Sequence, residues 1–329
     1  MRTVGDRRNF LFSAGAFATG AFAFPGCVTE GPSVGARTFA HDDEKGLIEI
    51  GWPGFSGTCR FSVIGDTHLW LDDERGLPYV QYSRRMGGGQ SAAKFFAEKG
   101  PVFERLLAEA KARRSDFTGL VGDIVSFPSE AGVAWSVERL NASGLDWHYI
   151  AGNHDWHYEG LSGSDLGQRA EWAPKRLSAF YRGANPLFSS RTVKGVRFVF
   201  IDNSTYEILP EQLAFLESEL EKGDPTALLM HIALYVPGYG VVEAGCGHPR
   251  WGAANDPYWE IERRQRWPAG HTPTTYAFRE RVFSAPNVIG VFAGHAHRLM
   301  ISKVNGCVQC VTPAGYSGRF LTVTVRGSV

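Results

Sequence analysis

Five apolar runs rich in β-branched and aromatic residues punctuate the chain, at 61–64, 120–121, 149–151, 228–230 and 288–292. Runs of this length and composition predict strands buried on both faces, and the Gly or polar residue after each marks where the strand stops. Between them the apolar spacing changes to that of helices. Residues 93–114 place Val102, Leu106, Leu107 and Ala110 on one face, with Gly100-Pro101 expected to break the helix near its start. Further helices are predicted over 131–141, 165–182 and 210–221, the last opened by Pro210 and carrying Leu213, Leu216 and Leu220 at burial spacing. A hairpin over 188–202 turns at Lys194-Gly195, and 300–325 supplies closing strands. Strands alternating with helices and then a β-rich end predict an α/β fold of two packed sheets with helices outside.

The chemistry sits where the apolar runs stop. The segments are Gly65-Asp66-Thr67-His68, Gly122-Asp123, Gly152-Asn153-His154-Asp155, His231 and Gly294-His295-Ala296-His297. In open α/β sheets, sites form at the carboxyl ends of strands, so segments this far apart in sequence can converge. Asp66 and His68, two residues apart at a strand end, are expected on one face. Taken singly, Asp123 reads as a turn residue, Asn153 as an Asx-turn residue and His231 as a hydrogen-bonded core histidine. As an ordered set they read otherwise, because burying so many polar groups without a metal or other partners would cost several kcal/mol. Carboxylates and imidazoles suit Mn, Fe or Zn better than a thiolate-seeking ion.

The order and residue types of these segments resemble the calcineurin-like metallophosphoesterases over about residues 60–299, and every metal-ligand position of that family is filled. The resemblance implies an αββα sandwich of two mixed sheets flanked by helices. It also implies two divalent or trivalent metal ions, one held by Asp66, His68, Asp123 and His297 and the other by Asp123, Asn153, His231 and His295, with Asp123 bridging. A hydroxide shared by the two ions would be the nucleophile, because metal coordination lowers the pKa of water toward neutrality. The histidine equivalent to His154 contacts the phosphoryl group in that family and protonates or stabilises the leaving oxygen; Asp155 either orients it or caps the following segment. Protein-phosphatase-like members carry a second carboxylate three positions after the bridging Asp, and purple acid phosphatases a tyrosine. Here the residue is Ser126, which departs from both.

Two long connections remain. One runs over 69–91 with Tyr79, Tyr82, Arg84, Arg85 and three consecutive glycines; the other is an insertion over 237–273 with Trp251, Tyr258, Trp259 and Trp267. The insertion reads as a satellite hydrophobic cluster or a wall of the substrate pocket. Arg84 and Arg85 are the candidate substrate anchors, since a phosphate ester needs cationic donors, and His157, His248 and His271 are weaker candidates.

Composition narrows the function. Lys plus Arg and Asp plus Glu both number 34, so no global field attracts a polyanion and duplex nucleic-acid binding is not expected. At the start of the chain, Arg2, Arg7 and Arg8 precede an apolar stretch over 10–24 that is too short to span a bilayer, which reads as a signal peptide over 1–27. Residues 6–11 resemble a twin-arginine export motif, implying passage through the twin-arginine translocase to the periplasm or cell surface. Cys27 is a candidate lipid anchor, although Phe24 and Pro25 depart from the lipoprotein pattern. A tether over 28–45 would lead into one domain over 46–329. Cys59, Cys246, Cys307 and Cys310 are read as mostly structural, with no bridge between the last two. The resulting expectation is an exported phosphoesterase acting on a small, nucleotide-like or sugar-phosphate diester. The alternatives are a broad phosphomonoesterase and a catalytically silent surface-binding protein that keeps the fold.

Overall fold

The computed structural model describes residues 37–163, 165–238, 245–249 and 271–328. The signal segment with Cys27, the first part of the tether and the four insertion aromatics lie outside the described residues.

Apolar runs become the central strands. β3 (Thr58–Ile64), β4 (Phe117–Leu120) and β5 (Trp147–Tyr149) lie side by side in parallel. Beside them β12 (Leu321–Gly327), β2 (Leu47–Trp52) and β1 (Thr38–Asp42) complete a six-stranded sheet in the order β1-β2-β12-β3-β4-β5. The second sheet runs β10-β11-β9-β8-β7-β6, from β10 (Met300–Val304), β11 (Cys307–Val311), β9 (Val288–Ala293), β8 (Thr226–Leu229), β7 (Val196–Ile201) and β6 (Phe188–Val193). Both sheets mix parallel and antiparallel pairs. Because β4, β8 and β9 are buried at every residue, they show no alternation in sequence.

Three clusters define the layers. Phe61, Phe117, Phe198, Phe200, Leu229 and Phe292 belong to the core between the sheets. On the outer face of the first sheet, Ile64 and Leu120 pack with helices α2 (Ala92–Ala112), α3 (Glu130–Ala142), α4 (Asp165–Arg176) and α5 (Ser178–Tyr181). On the outer face of the second, Leu228 and Val291 pack with α6 (Pro210–Leu220) and α7 (Pro273–Ser284). The result is the αββα sandwich. Cys310 joins the inner cluster and Cys307 the outer one, and all four described cysteines are buried and free.

Several expected boundaries move. The tether expected through residue 45 ends by Thr38, because β1 pairs along its whole length with β2. α2 runs unbroken through Pro101. A proline inside a helix costs about 3 kcal/mol, and burial of Phe95, Phe103, Leu106 and Leu107 in one cluster offsets it. The helix expected over 165–182 divides at Leu177. The connection over 69–91 contains short turns, with 3-10 segments at Glu74–Tyr79 and Arg84–Met86 around α1 (Val80–Ser83).

Candidate metal centre

β3, β4 and β5 of one sheet and β8 and β9 of the other end at the same place. The two sheets are tied there through a ligand residue: the backbone N–H of His295 donates to both carboxylate oxygens of Asp66 at 3.0 Å. The loops are not extended strand. Asp66 (φ 54°), His68 (φ 45°), Asp123 (φ 52°), His295 (φ 71°) and His297 (φ 57°) all take left-handed backbone. This corrects the expectation that Asp66 and His68 share a face by strand alternation; a left-handed turn at each residue does the aiming. Such conformations cost of order 1–3 kcal/mol each and persist where surrounding structure fixes them. Two glycines allow the loops to touch. A Cβ at Gly122 (φ 84°) would sit 2.3 Å from the nitrogen of Gly152, and one at Gly152 would sit 2.2 Å from Oδ1 of Asp123.

Two overlapping donor groups result. Asp66, His68, Asp123 and His297 form one, Asp123, His231 and His295 the other, and within each group the ligand atoms lie within 4.8 Å of one another. Asn153 joins the second through Oδ1, 3.1 Å from Nε2 of His231. Asp66, Asp123 and His231 are fully or almost fully buried, while His297 at 39 % exposure marks the open side.

The donor set fits metal cations. Nδ1–H of His231 donates to the carbonyl of Val121 at 2.8 Å, while its Nε2 faces Asp123 Oδ2 at 3.2 Å as well as Asn153. Burial opposes charge on this ring, but Asp123 outweighs it and raises the pKa to about 9. In the metal-free protein a proton on Nε2 therefore stands among the donors a cation would take. Burial likewise opposes charge on Asp123, but His231, His154 and His68 hold its carboxyl well below the ordinary range. On the other side, Nε2 of His68 faces Nε2 of His297 at 3.0 Å, a contact that needs a proton or a cation between them. Burial pushes His68 down to about 4, favouring the neutral ligand form.

His154 lies beside this cluster, its ring 4.7 Å from that of His68. Its backbone N–H holds Asp123 Oδ1 at 2.8 Å, and its Nδ1 lies 3.3 Å from the carbonyl of Ser126. Ser126, three positions after Asp123, thus meets His154 through its main-chain carbonyl. Asp155 does not orient His154. Its carboxylate accepts the N–H groups of Asp123, Val125 and Gly152 at 2.8, 2.9 and 2.8 Å, and the Tyr149 hydroxyl at 2.8 Å. Both oxygens are thus engaged by the loops carrying Asp123 and Asn153, so Asp155 is a positioning residue rather than a catalytic one. Arg84 and Arg85 are exposed; Arg84 folds against Gly89 and Arg85 against Gly160, and neither makes a hydrogen bond or ion pair to the cluster among the described residues. His271 is buried in an ion pair with Glu207 at 2.7 Å and His248 packs on Tyr235, so both serve structure.

Sequence reasoning missed three residues at the site. The Tyr206 hydroxyl lies 3.4 Å from Nε2 of His295. Tyr316 touches His297 and His68, with ring centres 5.4 and 6.0 Å apart, and Lys99 lies over Tyr316. None stands directly after an apolar run, the pattern that marks the ligand segments in the sequence.

An αββα sandwich with two oxygen- and nitrogen-donor groups sharing one carboxylate, where both sheets end, is the architecture of a metal-dependent hydrolase. The chain belongs to the calcineurin-like phosphoesterase family, whose sequence model matches residues 59–299, and it is accordingly a phosphoester hydrolase. No curated protein matches the chain. A dimetal phosphatase from Danio rerio shares the fold, with 13 % identity and a TM-score of 0.50 over 80 % of this chain and 91 % of that one. A purple acid phosphatase from yellow lupin (Lupinus luteus) seeds aligns with 15 % identity and a TM-score of 0.48 over 84 % of this chain and 47 % of that one.

Proposed function

We propose that the chain is an exported, dinuclear metal-dependent phosphoesterase that hydrolyses a small, nucleotide-like or sugar-phosphate diester without a covalent enzyme intermediate. The observation that carries this reading is the sharing of Asp123 between two donor groups built from five loops. Asp66, His68, Asp123 and His297 would hold one cation, and Asp123, Asn153, His231 and His295 the other. Bound there, the cations would polarise the phosphoryl oxygens and activate a water at neutral pH.

The chain's own residues do the rest. Asp155 and Gly122 fix the loop that carries Asp123. With Nδ1–H donated to the Ser126 carbonyl, His154 keeps Nε2 to pass a proton to the departing oxygen. Even charge balance supports a small substrate over a long polyanion. Assay of metal-reconstituted protein against monoesters, diesters and pyrophosphates tests the reading. Highest kcat/KM on a small diester is expected; a monoester preference would favour the broad phosphomonoesterase, and silence across the panel the binding protein.

Export rests on Arg7 and Arg8 ahead of the apolar stretch. Replacing both with Lys should leave precursor in the cytoplasm, whereas unchanged export would return the segment to an ordinary secretory signal. Cys27→Ser releases the protein from membranes only if Cys27 carries lipid.

A further inference from the structure

Tyr316 occupies the open side of the centre. It lies in a single 3-10 turn, Gly315–Ser317, between β11 and β12, and its backbone N–H donates to the carbonyl of Asp66 at 3.0 Å. The ring meets His297 and His68, yet is 38 % exposed. A tyrosine against two of the donor histidines and open to water stands at the exposed rim of the centre.

Lys99 reaches the same ring from α2. Its ammonium lies 5.0 Å from the ring centre, within reach of a cation–π attraction that holds a flexible side chain in one place. Lys99 is half-buried, and burial lowers its pKa from the ordinary value. Among the described residues no carboxylate forms an ion pair with it; Glu98 acts on it only at longer range. A partly desolvated cation without an anionic partner gains most when an anion arrives. Its neighbours through one ring are the histidines of the centre.

Resting on the phosphoesterase reading above, we propose that Lys99, steered by Tyr316, binds a second phosphate of the substrate, beyond the phosphorus that is cleaved. The preferred substrate is then a phosphate ester carrying two phosphates, such as a nucleotide phosphorylated at a second position. Lys99 takes the anchoring role that sequence reasoning gave to Arg84 and Arg85, and it selects substrate rather than taking part in bond cleavage.

The test is calorimetric titration of metal-reconstituted protein with thymidine 5′-phosphate and thymidine 3′,5′-bisphosphate. The wild type should bind the bisphosphate about tenfold tighter, a difference of about 1.4 kcal/mol. Lys99→Gln should bring that ratio toward one, Lys99→Glu below one, and Lys99→Arg should restore it. Tyr316→Leu should lower the ratio part of the way, because the ammonium loses its platform. Absence of the preference in the wild type, whether both nucleotides bind equally or neither binds, overturns the assignment, as does a ratio unchanged in Lys99→Gln. Hydrolysis of the p-nitrophenyl ester of thymidine 5′-phosphate by the same preparation separates the two readings. Turnover without the bisphosphate preference overturns the Lys99 assignment alone, and the preference without turnover overturns the phosphoesterase reading alone.

Discussion

The carboxylate of Asp155 accepts the backbone N–H of Asp123 at 2.8 Å, and through its other bonds it ties the loop after β4 to the loop after β5. Neither loop can shift without uncovering a buried donor. Each buried donor left without a partner costs about 1–3 kcal/mol. Asp155→Ala strands three backbone N–H groups and should lose at least about 3 kcal/mol in urea denaturation, while Asp155→Asn, which keeps most acceptors, should lose less. Metal affinity should fall in the same order. Stabilities within about 0.5 kcal/mol of wild type would show that the two loops hold themselves.

The metal-free protein should lose stability as pH rises. His231 has a folded value of about 9 against an ordinary 6.5, so its contribution is complete below pH 6.5 and disappears as pH climbs through 9. Asp155, pushed up to about 7 by burial and by the charge of Asp123, acts in the same direction. His68, held near 4 by burial, acts oppositely and weakens the fold as pH falls from 6.5 to 4. The melting temperature of metal-free protein should therefore decline between pH 6.5 and 9. With cations in place of the His231 proton this decline should shrink, and metal binding at pH 7 should release protons measurable by calorimetry in buffers of different ionisation enthalpy. A flat melting profile and no proton release would contradict the Asp123–His231 pairing.

His154 is expected to protonate the departing oxygen. A leaving group that is already a stable anion needs little such help and a poor alkoxide needs much. The defect of His154→Ala should thus grow with the pKa of the leaving group, reaching about 10²–10⁴-fold for alkyl esters. Activity on aryl and alkyl esters of one phosphate, with metal content checked, decides it. An equal defect on both would mean that the His154 side chain places substrate or supports the metals rather than delivering a proton.

Much of this centre is legible in the sequence because each apolar run stops at a Gly or His and the next residues are hard ligands. Run length and composition locate β3, β4, β5, β8 and β9 without any knowledge of their neighbours. The backbone of the loops is not legible. Asp and His seldom adopt positive φ, and contacts between loops distant in sequence, among them Gly122 with Gly152 and His295 with Asp66, accompany it here. The role of Asp155 is not legible because three of its four partners are main-chain N–H groups, two of them about thirty residues upstream, and these leave no side-chain signature. Lys99 and Tyr316 meet only through the packing of α2 against the β11–β12 turn. The charge of Arg84 and Arg85 and their loop after a ligand strand suggest substrate contact; the exposed side chains lie against Gly89 and Gly160.

The sharing of Asp123 by two cations is the central claim, and elemental analysis of active wild type, Asp123→Asn and His68→Ala tests it most directly. Wild type should carry two ions per chain, Asp123→Asn should lose occupancy at both positions together with turnover, and His68→Ala should empty mainly one. A fully active wild type holding at most one tightly bound ion would contradict the account.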